Sequence, residues 1–140
     1  MTRTVSSPSR RRAALGFALV GLLAGGAHVL ASEADSLRLW REVLPLACLV
    51  GAILGVLFRP ARWLSGALVA LLAVFGFALA YAVAETAILA GRGEIAGLGA
   101  WPASIFHWIG VVLAQSALGG AVAVLAGALA GVWIGRPRQS

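Results

Sequence analysis

Apolar residues run through this chain in four long stretches separated by short polar segments. The first, Ala13 to Ala31, holds no charge. The second runs from Val43 to Phe58 and reaches back to Trp40 when its interfacial turn is counted. The third, Trp63 to Ala90, contains one charge, Glu85, and the fourth, Ile105 to Ile134, contains none. A bilayer's hydrocarbon layer is about 30 Å thick and is crossed by about 20 apolar residues in a helix. The pattern therefore predicts four transmembrane helices, over 13–31, 40–58, 63–90 and 105–134. The last two exceed the minimum and must tilt, kink or emerge past the surface. Barrel strands would alternate apolar and polar residues over about ten positions. These runs are continuous and too long for that, and a helix satisfies its own backbone polar groups in lipid.

The polar segments predict direction. The N-terminal tail carries Arg3, Arg10, Arg11 and Arg12 and no acid. The first loop carries Glu33, Asp35 and Glu42 against Arg38 and Arg41, a net −1. The second is Arg59-Pro60-Ala61-Arg62, net +2; the third holds Arg92 and Glu94, net zero; the C-terminal tail holds Arg136 and Arg138, net +2. Basic and non-basic segments alternate, and basic segments stay on the cytoplasmic side. The expected fold is an all-α membrane protein, a four-transmembrane-helix bundle of antiparallel up-down order with both termini inside. One domain over 13–135 lies between basic cytoplasmic tails at 1–12 and 136–140, in a bacterial-type inner membrane. Trp40, Trp101 and Trp108 flank the outer span ends and Trp63 and Trp133 the inner ones, matching the preference of indole for the headgroup level.

Local chemistry fills in the connections. The four-residue link Arg59 to Arg62 forces spans two and three into a hairpin. Ser32 caps a short surface turn holding Leu37, Leu39 and Trp40. Gly91, Gly93, Gly97 and Gly99 make the third loop irregular, and Trp101-Pro102 followed by Ser104 opens span four. A competing reading takes Ser9-Arg10-Arg11-Arg12 and the first stretch as a secretory signal with a cleavage site at Val29-Leu30-Ala31. Its 19 apolar residues exceed the usual 7–15. Ala18–Ala24 and Ala67–Ala73 read alike, which suggests a duplicated pair of spans, but Ala/Leu/Val-rich helices match readily by composition alone.

Composition sharpens the class. Of 140 residues, 61% are hydrophobic and 11% charged. Soluble domains average about 45–50% and about 25%. A soluble enzyme, a disordered tail and a nucleic-acid-binding domain are all excluded. The net charge of +6 comes entirely from arginines at span ends, not on a phosphate-binding face. The single cysteine, Cys48, sits in an apolar run and rules out an intrachain disulfide or a thiolate metal site.

Helices in lipid associate through small residues that let backbones approach. Span four has such a stripe at Gly119, Ala123, Gly127, Gly131 and Gly135, span two has Ala47, Gly51 and Gly55, and span one has Gly21 and Gly25. Spacing by four puts each set on one face. Gln115 and Ser116 lie about ten residues into span four, about 15 Å deep. Gln115 is expected to hydrogen-bond another helix or to fix the register of a homodimer.

Candidate chemistry is sparse. His28, Glu85 and His107 share the outer level of spans one, three and four, and Tyr81 lies one turn below Glu85 on the same face. No phosphate loop, nucleophile elbow, HExxH pattern or Cys/His metal spacing is present. The expected function is therefore non-enzymatic: a small accessory or scaffold subunit packing against a membrane complex or itself. No cofactor, nucleic-acid partner or soluble substrate is indicated. Two alternatives remain. One is a small oligomeric permease using Glu85 and His107. The other is a haem- or quinone-associated subunit using His28 and His107.

Overall fold

The computed structural model describes residues 9–31 and 36–136, and within them every element is helical. Helix α1 spans Arg10–Ala31, α2 Ser36–Phe58, α3 Trp63–Gly91, α4 Trp101–Gln115 and α5 Ala117–Gly135, with a short 3₁₀ turn at Leu98–Ala100 before α4. Ser32, Glu33 and Asp35, the side chains of Arg38, Trp40 and Glu42, and Arg3 and Arg138 lie outside the described residues. Two helices, Trp63–Gly91 and Ala117–Gly135, are long and apolar enough to cross a membrane, with mean hydropathies of 2.5 and 2.0 over their most apolar windows. Val43–Phe58 is a shorter apolar segment.

The expected fourth span is one continuous helix, whereas the structure breaks it at Ser116 (φ −101°, ψ 16°). The cause is local. The Ser116 hydroxyl donates to the Val112 carbonyl one turn back, 2.5 Å away. The Ser116 N–H donates to the same carbonyl at 2.9 Å, so hydroxyl and backbone share one acceptor, an arrangement that often bends a helix.

Small residues set the packing. A methyl built on Gly21 would overlap the Ala47 carbonyl, and one on Gly51 would overlap the Phe17 carbonyl. The two pairs step in opposite senses, so α1 and α2 run antiparallel in close backbone contact. Likewise Gly66 of α3 meets Gly127 and Gly131 of α5, and Gly127 meets Ala70. Gly119 approaches Ala27 of α1, so the α5 stripe is divided between α1 and α3. Gly135 reaches the Ala61 carbonyl in the α2–α3 link.

The interior is accordingly built from small side chains. One cluster joins Ala13, Phe17, Val20, Val69, Ala70 and Ala123; a second joins Val43, Ala47, Phe77, Ala78 and Val112. The leucines face out: Leu15, Leu19, Leu49, Leu57, Leu68, Leu118, Leu125 and Leu129 are all more than half exposed.

The connections place the charged ends. Arg59 ends α2 in the left-handed region (φ 39°), with its N–H on the Gly55 carbonyl at 3.0 Å, and Pro60 stops further helix. The Arg62 N–H donates to Ser65 Oγ at 3.1 Å, the capping-box contact in which the third helical residue reaches back to the start of α3. At the other end of α3, Gly93 (φ 75°) turns the chain while the Glu94 N–H closes on the Leu89 carbonyl at 3.0 Å.

Candidate functional site

A polar level near the Glu85 end of α3 is assembled by α1, α3 and α4. His28 of α1 is only 2% exposed. Its ring meets Phe77 edge-on at 6.0 Å and Tyr81 at 5.9 Å, both on α3. Tyr81 in turn contacts the Trp108 ring of α4 at 6.4 Å. One turn along α3, the Tyr81 hydroxyl donates to Glu85 Oε1 at 3.3 Å. Spacing by four on a helix puts those two side chains on one face. A second polar contact, between the hydroxyls of Thr86 and Ser104 at 3.0 Å, ties α3 to α4 at the same level.

The four residues singled out by sequence divide into a group and an outlier. His28, Tyr81 and Glu85 are brought together through ring and hydroxyl contacts. His107 is exposed, and its described ring contact is with its chain neighbour Trp108 at 5.7 Å. The two histidines are linked only through the rings of Tyr81 and Trp108, and no described contact joins His28 to His107. No three His, Cys, Asp or Glu side chains converge among the described residues. His28 Nδ1 is buried and has no hydrogen-bond partner among the described residues. Within the group a hydrogen bond joins the phenol to the carboxylate, while the imidazole meets Tyr81 through its ring.

The packing residues divide in the same way. Gly21, Gly25, Gly51, Gly55, Gly119, Gly127, Gly131 and Gly135 all sit against a neighbouring helix or link, and Ala123 is fully buried. Gln115 does not join them. Its side chain is exposed on the outer surface of the α4–α5 unit and bonds no other described residue, contrary to the expectation of an internal helix partner.

Sequence reasoning passed over Arg12, whose charge reads only as a direction signal. Its guanidinium lies over the Trp133 ring, 4.2 Å from the centroid, and Nη2 donates to the Trp133 carbonyl. It also passed over Phe77, which packs edge-on to the His28 ring, and read Trp108 only as an interface residue, not as the neighbour of Tyr81. The signal for Phe77 was present, since it lies one turn below Tyr81 on the Glu85 face. No known protein family, curated protein or solved structure matches the chain.

Proposed function

We propose that the chain is a four-span inner-membrane protein with both termini and the Arg59–Arg62 link in the cytoplasm, and that it acts as a non-enzymatic accessory or scaffold subunit. The observation that carries the membrane reading is the inverted burial: alanine, glycine and valine inside, leucine outside. In water such a surface would aggregate, because large contiguous apolar patches are not tolerated on monomers. In lipid it is the expected one, since apolar side chains gain nothing by leaving hydrocarbon and small ones allow close packing. The four crossings are α1, α2, α3 and the bent α4–α5 pair.

Charge supports the orientation. Arg10, Arg11 and Arg12, Arg59 and Arg62, and Arg136 belong to the helix ends and link that meet where Arg12 touches Trp133 and Gly135 touches Ala61. Glu85, Arg92 and Glu94 belong to the opposite end of α3. Helix α1 supplies Phe17 and Val20 to the core, which favours a retained span over a cleaved leader.

The scaffold reading rests on abundant small-residue packing surface with little convergent chemistry among the described residues. Affinity purification in mild detergent tests it. The expected result is a co-purifying membrane protein or a homo-oligomer; a strictly monomeric species alone would overturn it. Compartment-specific reporters at the Arg59–Arg62 link and in the Gly93–Gly97 connector test the orientation. They are expected to report from opposite sides.

The buried His28 imidazole beside the Tyr81–Glu85 pair favours one second reading, a small permease moving a proton with its substrate. Glu85→Gln would abolish proton-coupled flux in vesicles. Unchanged flux would remove Glu85 from that path.

A further inference from the structure

We infer that the outward face of α5 is a seam on which two copies of this chain pair in parallel, with Gln115 meeting its counterpart across the twofold axis; this rests on the four-span, N-in/C-in reading. The inward face of α5 is taken by the small stripe, packed on α1 and α3. The opposite face carries Leu118, Val122, Leu125, Leu129 and Val132, exposed by 81%, 44%, 68%, 73% and 39%.

Within α5 the steps along this row are four, three, four and three residues, and Gln115 stands three residues ahead of it, just before the break. That is the 3.5-residue period of a left-handed coiled-coil seam, with large apolar side chains at its alternating positions. Ala117 and Ala121, exposed beside it, leave room for a second helix to approach.

The amide identifies the occupant. Even along a straight helix Gln115 would stand no more than about 27 Å from Trp133, so it lies within the hydrocarbon thickness. Its carboxamide is exposed there and bonds no other described residue. Lipid tails would cover the leucines and leave the amide unpaired, which is costly in hydrocarbon. A carboxamide carries both a donor and an acceptor and is its own complement. Copies inserted with one orientation are related by a twofold along the membrane normal, so each residue meets itself at its own depth. A second copy thus covers the leucines and pairs the amides, and one polar position in an apolar seam fixes register.

Single-cysteine crosslinking of the full chain in native membranes, on a Cys48→Ala background with a copper–phenanthroline catalyst, tests this. Leu118→Cys and Leu125→Cys are expected to give a dimer band several-fold stronger than Leu19→Cys and Leu68→Cys on the outward faces of α1 and α3. Adding Gln115→Leu to Leu125→Cys should weaken dimerisation about three- to tenfold, and Gln115→Asn should preserve it. Equal crosslinking at all four positions, no crosslinking on the seam, or capture of an unlike chain at Leu118→Cys would each overturn the pairing. With the reporters still in opposite compartments, that failure touches the dimer alone. Reporters in one compartment would instead bring down the four-span reading beneath it.

Discussion

Arg12 at the start of α1 clasps Trp133 near the end of α5, with its guanidinium over the indole and on the residue's own carbonyl. The contact joins the first and last helices of the chain. It also gives a cation to a helix C-terminus, where carbonyls lack partners and the dipole is negative. The Nε of the same side chain is buried without a hydrogen-bond partner among the described residues, so the charge is held mainly by the ring and the carbonyl.

Arg12→Ala is therefore expected to destabilise the folded protein by about 1–3 kcal/mol, from the lost cation–π contact and the charge-assisted hydrogen bond. Arg12→Lys keeps a charge but not the planar fork, and should fall between the two. Reversible unfolding in mixed micelles measures both. Equal stability of Arg12→Ala and the parent would show that the clasp contributes nothing.

Close approach between helices makes a second prediction sharp. A Cβ on Gly51 would overlap the Phe17 carbonyl, and one on Gly66 would overlap the Gly127 carbonyl, so α1–α2 and α3–α5 would each be pushed apart. Gly51→Ala and Gly66→Ala should each cost about 1–3 kcal/mol, as overpacking does. Gly26 and Gly110 have open space where a Cβ would go, so Gly26→Ala and Gly110→Ala should change stability little. The four variants in one unfolding assay separate helix packing from a general effect of losing glycine.

Much of this was legible in the sequence, because spacing by four is a property of the helix and needs no tertiary knowledge. The small stripes at Gly21/Gly25, Gly51/Gly55 and Gly119 to Gly135 each lie on a packed face. The extent of α3 was also readable, 63–90 against the observed Trp63–Gly91. The break at Ser116 was not, since serine bends a helix only when its hydroxyl turns back onto the preceding carbonyl. Nor could a string of letters tell that Trp108 turns in and His107 out. Neighbours on a helix point about 100° apart, and which one faces α3 depends on how α4 is rotated. Arg12 was hidden by having two roles, one visible as charge and the other only as geometry.

The bend at Ser116 leads to a third prediction. Phe106 and Leu129 are exposed on either side of it, and 23 residues of straight helix would separate them by about 34 Å. Spin labels at the two positions should report a shorter distance in the parent chain. Ser116→Ala removes the hydroxyl that competes for the Val112 carbonyl, and the distance should lengthen towards the straight-helix value. An unchanged distance would assign the bend to packing on α3 rather than to the serine.

His28 supports a fourth, in which structure and chemistry point in different directions. Its ring is buried among Phe77 and Tyr81, and Nδ1 finds no partner among the described residues. A buried polar atom left unsatisfied is costly, and an apolar ring of similar size removes that cost. His28→Phe should accordingly leave stability unchanged or raise it by about 1 kcal/mol, whereas His28→Ala should lower it by opening a cavity beside Phe77. Tyr81→Phe tests the other half of the group, since it deletes the hydroxyl on Glu85 and keeps the ring contacts. If the group only packs, His28→Phe and Tyr81→Phe will both behave as conservative repackings in unfolding and in growth of the host. If it handles a proton, His28→Phe will be stable and inactive in vesicle flux, and that separation of stability from activity is what identifies an ionisable residue kept for its chemistry.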